Sequence, residues 1–216
     1  MNGIDASRRA RREMFERCRS TGLLAILLLL AGIGVSTAAP VYTDHPRQGG
    51  RTRPVPVFID ASFTGVEKDQ IRSALDEWNQ VLNGAARFLV VPAAGDQTEG
   101  VKAWVIRKGA GRDGVREPGR KDQNLGTAQP LPMGGGVLII FSGAGSYMAD
   151  HGLSLRDVMM RELGHVLGLR HAEHGDLLAA DYRSGDASCV DRAVTDQIAK
   201  VLQVPEESLN WCELPK

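Results

Sequence analysis

Cysteine, aromatic residues and net charge are all scarce in this chain of 216 residues. Three cysteines are too few to staple a small disulfide scaffold. Aromatics make up only 5% beside 25 glycines, a balance that points to a loop-rich α/β protein. Charge excess of either sign is missing: 26 Lys+Arg meet 26 Asp+Glu. That neutrality excludes the basic stripe of a general nucleic-acid binder, so no nucleic-acid partner is expected. Internal repeats are also absent. What is present, 43% hydrophobic residues, is enough for one ordinary core and excludes disorder of the whole chain.

The front end reads as an export segment. Arg8, Arg9, Arg11, Arg12, Arg17 and Arg19 precede an uncharged run from Thr21 to Ala39 whose centre, Leu23 to Leu30, is continuously apolar. A positive flank, a short apolar core and small residues at its end describe a signal peptide, with Ser36-Thr37-Ala38 as a cleavage signature. A start at Met14 gives a more conventional basic flank. The run just reaches spanning length, so residues 1–39 are a signal peptide or a signal anchor. In both cases the body of the protein is exported, secreted or periplasmic, and meets a membrane only through residues 21–39 if these stay uncleaved. Loss of this segment removes more basic than acidic residues, which leaves the exported part slightly acidic. Cys18 stays behind, and Cys189 and Cys212 form an even pair in an oxidising compartment, a predicted disulfide.

Residues 40–53 read as a flexible lead-in and residues 54–216 as one domain, expected to be monomeric. Val55 to Asp60 is a strand by its β-branched and aromatic content. Thr64 can cap a helix in which Ile71, Ala74, Leu75, Trp78, Val81 and Leu82 recur at helical spacing up to Asn83-Gly84. Trp78 in that stripe is core. Further strands are predicted at Phe88 to Val91, Val101 to Ile106, Leu125 to Pro130 and Val137 to Phe141, with a polar loop from Gly109 to Asn124. The glycines after Met133 lack the Gly-Lys-Ser/Thr continuation of a phosphate loop and read as a turn. A second helix starts at Ser154 with a capping box to Asp157 and stops at Gly168. The expected fold class is α/β (α+β).

The chemistry lies in Arg161-Glu162-Leu163-Gly164-His165-Val166-Leu167-Gly168-Leu169-Arg170-His171. On a helix, positions 161 and 165 lie only about 40° apart and Glu162 sits about 60° from His165. Gly168 lets the chain leave the helix and fold back, so that His171 can face His165. Two imidazoles and a carboxylate then converge, which is most of a hydrolytic zinc site: nitrogens hold the metal and the carboxylate takes a proton from bound water.

These residues resemble the metzincin zinc peptidases, and among them the matrixin-like group. The signature H-E-x-x-H-x-x-G-x-x-H is matched at Glu162, His165, Gly168 and His171. The resemblance implies a twisted mixed sheet of about five strands with a long N-terminal helix and an active-site helix. It implies one catalytic zinc on His165 and His171, with Glu162 as general base. It also implies a peptide or protein substrate paired along an edge strand near Gly126, Thr127 and Ala128, with Tyr182 at a side-chain pocket. The sequence departs from the pattern at Arg161, where the first histidine ligand belongs. A guanidinium is always protonated and has no lone pair for a metal. Leu178 replaces the methionine of the turn beneath such sites, a mild change that conserves volume. His174, Asp176 and Asp181 are the candidates for a substitute ligand.

Three readings remain open on the sequence. One is a working zinc endopeptidase with a substitute ligand. Another is a metal-free pseudopeptidase that binds peptide or protein without cleavage, with Arg161 paired to Glu162 or to another carboxylate such as Asp181. The last takes Arg161 as a single-base change from a histidine codon in an active lineage.

Overall fold

A computed structural model describes residues 41–46, 52–92, 102–109, 125–171, 177–179 and 189–213. The strands are β1 (Arg53–Ile59), β2 (Ala86–Val90), β3 (Trp104–Gly109), β4 (Gly126–Pro130) and β5 (Gly136–Phe141). The helices are α1 (Gly65–Leu82), α2 (Ala144–Asp150), α3 (Leu155–Val166) and α4 (Arg192–Leu202), followed by a 3-10 turn at Glu206–Ser208. One five-stranded sheet runs in the order β2-β1-β3-β5-β4. Its first four strands are parallel, and β4 closes one edge antiparallel to β5. The mixed α/β architecture expected from the sequence is therefore the one observed.

β1 holds Pro54 and Pro56 although it pairs on both sides. Its odd-numbered residues bond toward β2, as Arg53 N–H donates to Ala85 O and Val57 O accepts from Val91. The proline nitrogens consequently face β3, and β3 joins only from Val57 onward. No ladder bond is lost to either proline.

α1 follows from its sequence. Thr64 and Glu67 form a reciprocal capping box, and Asn83 ends the helix in a left-handed conformation. All six residues of the predicted stripe are buried, and each large apolar side chain there contributes roughly 1.5–3 kcal/mol. Trp78 is fully buried and donates its indole N–H to Met160 O at 2.9 Å, which fastens α1 to α3. Asn79 takes both backbone groups of Phe88, at 3.1 and 2.7 Å, and so fixes α1 on β2. The glycines after Met133 do form a hairpin turn between β4 and β5. Gly135 has φ +69° there, and a Cβ would fall 2.4 Å from Ala103 O.

β3 spans Trp104–Gly109 rather than the predicted Val101 to Ile106, because pairing with β5 runs through Arg107, Lys108 and Gly109. The rest of the predicted loop to Asn124 lies outside the described residues. The ends of the domain are stitched together. Thr43 N–H donates to Trp211 O at 2.9 Å, Glu213 N–H donates to Val41 O at 3.1 Å, and Tyr42 bridges Cys212. The predicted disulfide joins Cys189 to Cys212. Tyr42 also donates its phenol to Glu77, which Arg156 of α3 holds from its other side. Burial pushes the Tyr42 phenol pKa up, against the opposing pull of the Val190 N–H and of Arg156. His45 lies half-buried with its ring 4.5 Å from that of Trp211. His151 is half-buried and stacked on Tyr147 at 3.7 Å. Among the described residues no helix is long and apolar enough to cross a membrane.

Candidate functional site

α3 presents the signature residues. Its start is fixed by the capping box of Ser154 and Asp157, as the sequence predicts. Gly164 lies against α1 without a side chain; a Cβ there would sit 3.1 Å from Leu178 Cδ2 and 3.4 Å from Trp78 Cζ2. Leu178 is fully buried, so it supports α3 from beneath, where the family's turn methionine is expected. The helix ends at Val166. Leu167, Gly168 and Leu169 donate back to Leu163, His165 and Gly164 at 3.0–3.1 Å, which satisfies the last carbonyls. Gly168 makes this possible at φ +95°, a conformation that costs other residues about 1–2 kcal/mol.

The chain then returns, and His171 faces His165 with ring centroids 4.8 Å apart and planes at 59°. His165 is half-buried, and its Nδ1 lies 2.9 Å from Leu169 O. A carbonyl only accepts, so Nδ1 is the donor nitrogen in this contact. Arg161 and Glu162 are each 4% exposed. Arg161 Nη2 donates toward His171 Nε2 at 3.3 Å, which makes Nε2 the acceptor nitrogen of His171. Arg161 meets an imidazole here, because the turn at Gly168 that joins the two histidines also delivers His171 to position 161. Asp181, a carboxylate expected as a partner of Arg161, lies outside the described residues.

The wall opposite α3 is β4. Gly126 lacks a side chain where a Cβ would sit 3.2 Å from the Glu162 carboxyl carbon and 3.0 Å from Ile139 O. That close approach sets Glu162 against the strand backbone. Gly126, Thr127, Ala128, Arg161, Glu162, His165, Leu169, Arg170 and His171 together line a cleft of about 550 Å³. Seven of these are residues singled out from the sequence. Leu169 and Arg170 are the additions, and Arg170 is exposed at the cleft. His174, Asp176, Asp181 and Tyr182 lie outside the described residues.

Zinc does not fit what is described. The first ligand position holds a cation, and that cation occupies the Nε2 lone pair with which His171 would bind metal. Among the described residues no group of three His, Cys, Asp or Glu side chains converges on a metal position. The zinc ion implied by the family resemblance is thus not supported by this donor set.

No protein-family model and no curated protein matches the chain. Among solved structures, the fold is similar to high choriolytic enzyme 1, a hatching enzyme zinc-protease from the medaka fish Oryzias latipes. Identity is 16% over 59% of this chain and 49% of that one, with a TM-score of 0.37. It is also similar to metalloproteinase-II from Bacteroides fragilis, at 14% identity over 73% of this chain and 55% of that one, with a TM-score of 0.40. The chain spans about half the length of each.

Proposed function

We propose that this chain is an exported, monomeric, matrixin-like peptidase domain whose cleft holds no catalytic zinc and binds an extended peptide or protein segment without cutting it. The observation that supports this reading best is the Arg161 guanidinium 3.3 Å from His171 Nε2. A fixed positive charge at the ligand position opposes a dication and engages the nitrogen that would hold it. Without the metal, Glu162 has no activated water from which to take a proton.

Peptide binding rests on the strand wall. β4 is the last strand of the sheet, and Gly126, Thr127 and Ala128 line the cleft. A segment laid along β4 gains main-chain hydrogen bonds there, as in β-strand addition. By the same resemblance we assign Tyr182 to the recognition of a side chain of that segment, and the disulfide suits an oxidising compartment.

The test combines elemental analysis of the purified full chain with a binding and cleavage assay on a quenched fluorescent peptide library. The expected result is far less than one zinc per chain, saturable binding and no cleavage. One zinc per chain with hydrolysis that Glu162→Gln abolishes refutes the proposal and makes the chain a working endopeptidase.

A further inference from the structure

The sheet has two outer strands, β4 beside the cleft and β2 at the opposite end of the order. An outer strand turns a row of backbone N–H and C=O groups away from its neighbour, and such a row can template pairing with another chain. In β2 the register fixes which groups these are. Arg53 N–H donates to Ala85 O and Val91 N–H donates to Val57 O. Residues 85, 87, 89 and 91 therefore turn toward β1, and Phe88 turns its N–H and C=O outward. Leu89 and Val90 beside it are 40% and 50% exposed. Outward backbone groups next to exposed aliphatic side chains make an adhesive edge. Both outward groups of Phe88 are nevertheless taken, by a single side chain. Asn79 Nδ2 donates to Phe88 O at 3.1 Å, and Phe88 N–H donates to Asn79 Oδ1 at 2.7 Å. A carboxamide sets a donor beside an acceptor, the same pair that a residue of a neighbouring strand presents. Asn79 is held there by α1, which Trp78 fastens to Met160 O.

We propose that Asn79 closes the β2 edge to strand addition, and that the partner it shuts out is a second copy of this chain. Phe88 is the pivot of that pairing. Two residues directly opposite each other in an antiparallel pair exchange both N–H···O bonds, so a two-fold axis at Phe88 makes β2 complementary to itself. Arg87 then lies opposite Leu89 and Ala86 opposite Val90, and no like charges meet. With Asn79 in place, the central pair of bonds is already made to the chain's own helix. The inference is independent of what the cleft binds, because it concerns the other end of the sheet.

The experiment is sedimentation equilibrium on the full chain, in a detergent matched to the solvent density, with circular dichroism to show that each variant is folded. The parent is expected at the mass of one chain at every concentration. Asn79→Ala is expected to rise toward twice that mass as concentration increases. Adding Leu89→Lys to Asn79→Ala sets a lysine opposite Arg87 of the other copy and should return the mass to that of one chain. Loss of two hydrogen bonds lowers stability whatever their role, but it doubles the mass only if they guard the edge. A folded Asn79→Ala chain that stays at the parent's mass overturns the proposal. So does a dimer that persists with Leu89→Lys, or a parent dimer that Leu89→Lys abolishes. If Asn79→Ala does not fold, Asn79→Leu, similar in size and a better helix former, carries the same test. Failure of both to fold also overturns the proposal, since the amide is then only a fastener of α1.

Discussion

Arg161→His is the perturbation that isolates the role of position 161. His165 is held in the Nδ1–H form by Leu169 O at 2.9 Å, and His171 presents Nε2 to Arg161 at 3.3 Å. A histidine at 161 lies one helical turn from His165 and replaces the cation with a third donor. Four-ligand zinc sites in small domains gain about 10–16 kcal/mol at neutral pH. Each protein ligand is therefore worth about 3 kcal/mol, or roughly two orders of magnitude in Kd. The stability change should be small by comparison. The bond from a charged donor to His171 is worth about 1.5–3 kcal/mol, while burying its guanidinium costs several kcal/mol. The assay is elemental analysis of parent, Arg161→His and Arg161→Gln after dialysis against one zinc concentration, with melting curves to show that each is folded. The expected pattern is about one zinc in Arg161→His alone. The glutamine variant removes the charge without adding an imidazole, so it separates repulsion from the missing ligand. A folded Arg161→His chain that takes up no zinc would falsify the claim that two ligands remain poised.

Replacing Cys189 and Cys212 by alanine opens a loop set by a separation of 23 residues, a loss of about 3 kcal/mol in the chain-entropy model. Calorimetry should show a melting temperature lower by about 6–12 °C, and an unchanged value contradicts the assignment. Gly168→Ala forces a left-handed alanine at φ +95° and should cost about 1–2 kcal/mol in urea unfolding. Made together with Arg161→His, it should also weaken zinc uptake by displacing His171; equal uptake refutes the role given to this turn. The Glu67 carboxyl is held below its ordinary pKa of 4.5, chiefly by Lys108 and also by the Thr64 cap. Its contribution is complete above 4.5 and is lost as pH falls through the depressed folded value. The stability gap between parent and Glu67→Gln should therefore close on acidification, and a gap that widens is the contrary result.

The sequence reading reached furthest where local chemistry and tertiary demand agree. The helix that lines the cleft and the one packed beneath it both carry capping boxes, Ser154 with Asp157 and Thr64 with Glu67. Their apolar stripes meet in the core, so caps and periodicity alone located them. α4 carries a comparable signal in Val194, Ile198 and Ala199, all buried behind the Asp191 cap, although no helix is predicted there above. α2 gives little to read: it has seven residues, no side-chain cap and a single buried residue, Ala144. The shift of β3 has a different cause, because the β5 ladder recruits Arg107 and Lys108 whatever their β-propensity. At the site, helical spacing places Glu162 and His165, but the Arg161–His171 contact depends on the path after Gly168. Residues adjacent on a helix diverge, which is why Asp181 stood beside Glu162 as an expected partner, and Asp181 lies outside the described residues.

The cleft keeps its form through interactions that involve no metal. Trp78 is buried between α1 and α3 and fixed to Met160 O, and truncation of such a residue costs about 3–5 kcal/mol. Leu178 fills the space that Gly164 leaves beneath α3, and the disulfide between Cys189 and Cys212 adds about 3 kcal/mol. The orientation of His165 comes from a backbone carbonyl, and that of His171 from a glycine turn. Each of these terms lies in the sequence outside position 161. Exchange of histidine for arginine there changes the charge at the cleft floor and the donors offered to a ligand, while the core that shapes the cleft is left in place. Fold and chemistry are thus separable at this one residue. The same scaffold presents three imidazoles with histidine at 161, and with arginine it holds a guanidinium against His171.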